Sequence, residues 1–188
     1  MTGFTAQPDS AHGLPHEYQF SVIEDHLGRS WTGTARAGLA RLDNESEQRF
    51  TVWKPSSNNP QSLAHGMILN LFEDSRGRVW CSTPGGISVV WPDDRINTYT
   101  SADGIPSDLV FGVLEDEHGN IWINSTGGLT KVSLSEYDAP LEIIENFNTN
   151  DRLTGGRALY GWMIMPDGRM ALAGDGLNIF HPDSLSTK

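Results

Sequence analysis

Three Glu-Asp pairs are the most chemically suggestive residues of this chain: Glu24-Asp25, Glu73-Asp74 and Glu115-Asp116. Two carboxyl groups held close together can divide acid and base work, as in glycoside hydrolysis. Trp31, Trp80 and Trp122 follow the pairs at a fixed distance, and indole faces can stack on sugar rings. The six histidines are His12, His16, His26, His65, His118 and His181. Only His12 and His16 have a ligand-like i, i+4 spacing, and they sit in a loop rich in Gly and Pro, so no metal site is expected. Cys81 is the single cysteine, which excludes an internal disulfide. It lies in the apolar run Val79-Trp80-Cys81 and reads as a small buried hydrophobe rather than a nucleophile. The chain has no G-x-S-x-G elbow, no P-loop and no H-E-x-x-H, and no cofactor is expected.

The elements that must carry these residues form a repeat. The segments EDHLGRSW, EDSRGRVW, EDEHGNIW and MPDGRMA align on Gly28, Gly77, Gly119 and Gly168, spaced 49, 42 and 49 residues apart. Three residues after each glycine come Trp31, Trp80, Trp122 and Ala171. Further on come Leu39, Ile87, Leu129 and Leu177, each preceded by a glycine. Each unit opens on an apolar, β-rich run: YQFSVIE, MILNLFE, LVFGVLE or LYGWMIM. A tight turn follows, in which Asp caps the backbone and Gly takes positive φ. A second strand then carries the Trp in three units. A third begins at a Gly-Leu or Gly-Ile step, and a short fourth run (RFTVW, NTYT, ENFNT) closes the first three units. Helical periodicity is missing and turn residues are dense. LSEYDAPLEIIENF is the one helix candidate, and Pro140 argues against it.

Four antiparallel strands in 42–49 residues make a β-propeller blade. The expected fold is therefore all-β, with blades at residues 1–62, 63–105 and 106–150 and a closing blade at 151–188. In that frame the Glu-Asp pairs recur because the turn needs them. Asp25, Gly28, Asp74, Gly77, Asp116, Gly119, Asp167 and Gly168 are structural turn residues, and the repeated tryptophans pack between blades.

Ligand residues are sought instead where inter-blade connections converge over the channel. The equivalent positions there are His16-Glu17, His65-Gly66, Ser107-Asp108 and Gly156-Arg157, polar and unlike from blade to blade. His16, His65, Asp108 and Arg157 are thus the candidate ligand-binding residues, with Trp162 as an aromatic wall. Arg36, Thr83, Thr126 and Asp175, in the turns after the second strands, add donors and acceptors. The plainer reading of each is a solvated loop residue, and of Trp162 a core residue.

The formal net charge is −11. Such an acidic surface disfavours nucleic acid and anionic membranes as partners. Nothing approaches the roughly 18-residue apolar run of a membrane helix, and MTGFTAQPDSAHG lacks the regions of a signal peptide.

The combination of VLEDEHGNIW, STGGL, NTYT and DGIPSD resembles the two-component regulator propeller repeats. GLPHE in the first unit matches the same inter-blade element as DGIPSD. The last unit lacks the Glu-Asp and the Trp and ends in GLNIFHPD, which looks like the closing blade of that family. The resemblance implies an extracytoplasmic, periplasmic sensor region of a bacterial inner-membrane signalling protein with a kinase or cyclase output domain. It also implies a seven-bladed parent, of which this chain is the C-terminal part. The partners implied are a small-molecule or oligosaccharide ligand, together with the missing blades or, failing them, self-association. A propeller lyase or glycan-active enzyme and a protein-interaction scaffold are the competing functions.

Overall fold

The computed structural model describes residues 3–7, 12–148, 158–174 and 176–185. The first sheet holds β1 (Gln19–Glu24), β2 (Ser30–Thr34), β3 (Leu39–Asn44) and β4 (Arg49–Trp53). The second holds β5 (Asn70–Glu73), β6 (Val79–Thr83), β7 (Gly86–Val90) and β8 (Ile96–Tyr99). The third holds β9 (Val110–Glu115), β10 (Ile121–Ser125), β11 (Gly128–Ser133) and β12 (Glu142–Phe147). The fourth holds β13 (Ala158–Ile164), β14 (Met170–Gly174) and β15 (Leu177–Phe180), three strands among the described residues. Every sheet is an antiparallel meander in chain order. The segment with the helical candidate is strand β12, entered after Pro140.

The first strand of each sheet packs on the first strand of the next: β1 on β5, β5 on β9, β9 on β13. These strands form the inner row from which the sheets radiate. Side chains alternate across each strand, so each sheet has an upstream and a downstream face. On β6, Val79 and Cys81 join Trp31, Leu39 and Leu71 in the seam with the first sheet. Trp80 points the other way and joins Val110, Val113, Ile121 and Ile123 in the seam with the third. Trp122 repeats this against Met170, Trp162 and Phe180 of the fourth. Trp31, Trp80 and Trp122 are all essentially buried. The recurring tryptophans are therefore the largest apolar groups of three successive seams, where burial stabilises most.

Among the described residues, Phe4 and Leu14 pack on Ala40 and Phe50 over the outer part of the first sheet, and apolar side chains remain exposed on its inner strand and on the fourth sheet. Phe20 and Val22 are exposed on the first sheet, and Met163, Leu177 and Ile179 on the fourth. Among the described residues no helix is long and apolar enough to cross a membrane.

Candidate functional site

The two ends of the sheets do different work, and the Glu-Asp pairs lie at one of them. In the β1–β2 turn, Asp25 Oδ1 accepts the backbone N–H of Leu27 (3.0 Å) and of Arg29 (2.8 Å), and Oδ2 accepts Trp31 Nε1–H (2.8 Å). Asp74 takes Arg76, Arg78 and Trp80 in the same way, with the indole at 2.7 Å. Asp116 takes His118, Asn120 and Trp122, with the indole at 2.8 Å. Each Asp is buried. One carboxylate thus closes a hairpin and fixes the rotamer of the seam tryptophan. Burial works against the charge on Asp25, but the bonds from Trp31 and Arg29 outweigh it and hold its carboxyl below the ordinary value. Asp116 is held low likewise, with Trp122 and Asn120 overcoming its burial. The glycines ending these turns, Gly28, Gly77, Gly119 and Gly168, have φ of 76°, 72°, 78° and 82°.

The fourth turn keeps the backbone and loses the chemistry. Met165 N–H bonds Arg169 O and Gly168 N–H bonds Met165 O, the pattern that Asp25, Gly28 and Arg29 make. Met165 therefore stands at the position of Asp25, and Ala171 at that of Trp31. Acceptor and donor are lost together, so neither is left buried and unpaired. Asp167 sits two residues on, exposed, and pairs with Arg169 at the surface.

The Glu of the second and third pairs works between sheets, whereas Glu24 is exposed. Glu73 accepts the backbone N–H of His26 (2.8 Å) and contacts its Nδ1 (2.6 Å). Glu115 accepts Ser75 N–H (2.6 Å) and Oγ–H (2.7 Å). The two carboxylates of a pair serve different partners, so they do not form an acid-base couple. Arg41 adds a tie across the first seam, bonding Asp94 of the second sheet while lying over Trp31 and Trp53. Arg78, itself buried, reaches the carbonyl of Leu134 across the second.

At the other end the inter-blade connections meet the turns after the second strands. Gly38 N–H bonds Gly66 O (2.8 Å), and Gly86 N–H bonds Asp108 O (2.7 Å). His16 and His65 lie on this rim, His16 half-buried and His65 exposed. They share one conformation: His16 Nδ1 accepts Tyr18 N–H (2.9 Å) and His65 Nδ1 accepts Met67 N–H (3.0 Å). Ser107 Oγ fills the same role toward Leu109 N–H (3.2 Å). Part of what reads as blade-to-blade variation is thus one architectural cap met by two side-chain types. A backbone N–H can only donate, so each imidazole carries its proton on Nε2 and offers a donor there. Asp108 accepts Ser101 N–H (2.6 Å) and is half-buried. No hydrogen bond or ion pair joins His16, His65 and Asp108 to one another.

Of the turn residues on this rim, Arg36 is exposed, Thr83 is buried and bonds Gly86 O, and Thr126 Oγ shares a hydrogen bond with Ser107. Trp162 packs over β9: a Cβ on Gly112 would lie 2.5 Å from its Nε1. It belongs to the seam between the third and fourth sheets. Arg157, with Gly156 and Asp175, lies outside the described residues. Cys81 is wholly buried, which pushes its thiol far up and leaves it without thiolate character.

One cluster escapes sequence reasoning. Glu117, His118 and Asp183 bring their donor atoms within 4.8 Å of one another. These residues could hold a metal ion, although each is exposed and His118 already lies between the two carboxylates, 3.3 Å from Asp183 and 3.9 Å from Glu117. Asp183 is 65 residues from His118, so no local spacing signals the group.

The family described as "Two component regulator propeller" matches residues 62–85, the stretch containing Glu73, Asp74, Gly77 and Trp80. No curated protein matches the chain by sequence. Solved structures do match. One is the extracellular domain of BT4673 from B. thetaiotaomicron, described as a hybrid two component system: 19% identity, TM-score 0.74, 91% of this chain and 24% of that chain. The corresponding domain of BT3049 from the same organism gives 18% identity, TM-score 0.68, 94% of this chain and 30% of that chain. A catalytically inactive virginiamycin B lyase from Staphylococcus aureus with quinupristin gives 14% identity, TM-score 0.64, 88% of this chain and 53% of that chain. The chain thus spans about a quarter of the length of the BT4673 domain. At these identities the likeness establishes the propeller fold.

Proposed function

We propose that this chain, whose residues 62–85 match the two-component regulator propeller family, is a non-catalytic ligand-sensing module of a bacterial signal-transduction protein, acting outside the cytoplasm and binding carbohydrate at the connection rim. One observation carries the reading. The three recurring Asp carboxylates are taken up by the seam tryptophans, and those of Glu73 and Glu115 by the neighbouring turns. What remains for recognition is the rim, with Nε2–H donors of His16 and His65, a carboxylate at Asp108 and an exposed cation at Arg36. A few fixed polar groups of mixed donor and acceptor character suit a hydroxyl-rich ligand. An enzyme would need a non-repeated acid or base placed to reach a bound substrate, and His16, His65 and Asp108 are the described rim residues of that kind. The output domain of the parent protein, a kinase or cyclase, would read the bound state.

A glycan array followed by calorimetry tests this. Binding of an oligosaccharide without turnover, weakened about tenfold or more by His65→Ala, is expected. Release of product from a polysaccharide would replace the sensor reading with the enzyme one. Capture of a protein on the rim with no glycan bound would replace it with a docking scaffold.

A further inference from the structure

We propose that Glu117, His118 and Asp183 bind a divalent transition-metal ion of the zinc kind, which staples the third blade to the fourth. The site lies at the turn end of the sheets, opposite the connection rim, and the inference is independent of what the rim binds.

The third seam departs from the two before it. At those two, a Glu ending the inner strand, Glu73 or Glu115, accepts donors from the preceding blade's turn, from His26 or Ser75. In the fourth blade Ile164 holds that place, facing Met170 as Glu73 faces Val79 and Glu115 faces Ile121. The donor position is altered as well. Glu117 follows Asp116 where His26 follows Asp25 and Ser75 follows Asp74, so the third turn presents a carboxylate in place of a side-chain donor. The fourth blade answers it with another carboxylate. Phe180 pairs with Met170, so the chain leaves β15 at the end where the β13–β14 turn stands, and Asp183 lies in the single 3-10 turn Pro182–Ser184 that follows. Two carboxylates from different blades therefore meet across the seam, with His118 between them. A neutral imidazole has one N–H to give and cannot serve both. A divalent cation can.

The geometry suits such an ion. His118 Nε2 is 3.3 Å from Asp183 Oδ1 and 3.9 Å from Glu117 Oε1. Zinc bonds to imidazole and carboxylate are about 2.0–2.2 Å long, which puts neighbouring ligand atoms about 3.3–3.6 Å apart on a tetrahedron. The first distance already fits. The second needs a few tenths of an ångström from an exposed glutamate side chain. One neutral imidazole and two carboxylates also cancel the charge of a divalent ion. The imidazole favours zinc, nickel or copper over magnesium and calcium, which prefer oxygen ligands throughout. Three protein ligands leave the remaining position to water. Glu117 also reaches the fourth hairpin, where a Cβ on Gly168 would lie 3.9 Å from its Oε2, and His181 stands beside it with Nε2 4.0 Å from Oε1.

The full chain, stripped with a chelator and then titrated with zinc chloride, provides the test. Zinc at about 100 times its Kd should raise Tm by about 5–10 °C. Calorimetry should find one ion per chain, and magnesium at the same concentration should leave Tm where it was. Hydrogen exchange should slow on both sides of the seam, in the β9–β10 turn and in residues 181–185. His118→Ala and Asp183→Asn should each weaken zinc binding by about 100-fold or more, beyond the usual loss from removing an outer-shell partner. Both side chains are exposed, so the fold does not depend on burying them. A Tm that zinc does not move, an equal response to magnesium, or binding that survives either substitution would overturn the proposal. Slowed exchange confined to the β9–β10 turn would overturn it too, since the ion would then not join the two blades.

Discussion

The carboxylate of Asp74 stands 2.7 Å from the indole nitrogen of Trp80, and both side chains are buried. This one bond links the hairpin turn of the second blade to its seam with the third. Trp80→Phe keeps most of the ring and removes the donor. It should cost about 1–3 kcal/mol, the range for leaving a buried acceptor short of a partner. Asp74→Ala orphans the indole, two backbone amides and the buried Arg78 at once, and should cost about 3–5 kcal/mol. Urea unfolding of both variants checks the order. A larger loss from Trp80→Phe would show that ring packing, and not the bond, dominates.

Acid should unfold the protein through the same turns. Asp25 and Asp116 are held below the ordinary carboxylate value in the fold, because hydrogen bonds outweigh the burial that opposes their charge. In the unfolded chain they return to about 3.9. Their contribution is therefore fully present above pH of about 4 and is lost as pH falls through the lowered native values. The urea midpoint should be flat from neutral pH to about 5 and fall below about 4. Asp116→Asn should flatten that fall while lowering the plateau.

Gly112 should tolerate nothing larger while Trp162 is present. Its missing Cβ leaves the space that the indole occupies, with only 2.5 Å to Nε1. Gly112→Ala should destabilise by about 1–3 kcal/mol through overpacking. Adding Trp162→Leu should make the pair less costly than the sum of the single changes. Additive losses in a double-mutant cycle would place the strain elsewhere.

The Glu73 clamp should matter at one seam. Glu73→Ala removes the acceptor for the His26 amide and imidazole. A loss of about 0.5–1 kcal/mol is expected, since water can replace the lost acceptor at the exposed His26, with faster hydrogen exchange in β1 and β2 and little change in the third sheet. Uniform acceleration across all sheets would show that the blades open as one unit rather than seam by seam.

How much of this was legible beforehand follows from the range of each interaction. Turn chemistry and strand alternation act over a few residues, so the Asp and Gly of the first three hairpins, the strand positions and the four-unit repeat are legible in the sequence, while in the fourth hairpin Met165, not Asp167, holds the place of the turn Asp. The segment ending in Phe147 is strand β12, in keeping with Pro140 near its start, which disfavours a helix there. The division of labour within each Glu-Asp pair was not legible. His26 and Glu73 are 47 residues apart, and Ser75 and Glu115 are 40 apart. Only the stacking of sheets brings them together. The histidines show the same limit from the other side. His16 and His65 read as recognition residues because Ser107 differs from them, yet all three accept the amide two residues on. Equivalent geometry is invisible in residue identity when imidazole nitrogen and hydroxyl oxygen serve equally as acceptors. The sequence by itself determined the blade and its turn, which are local. The tertiary structure decided which carboxylate faces which neighbour, because that depends on the direction a side chain leaves its strand and on the sheet that stands opposite.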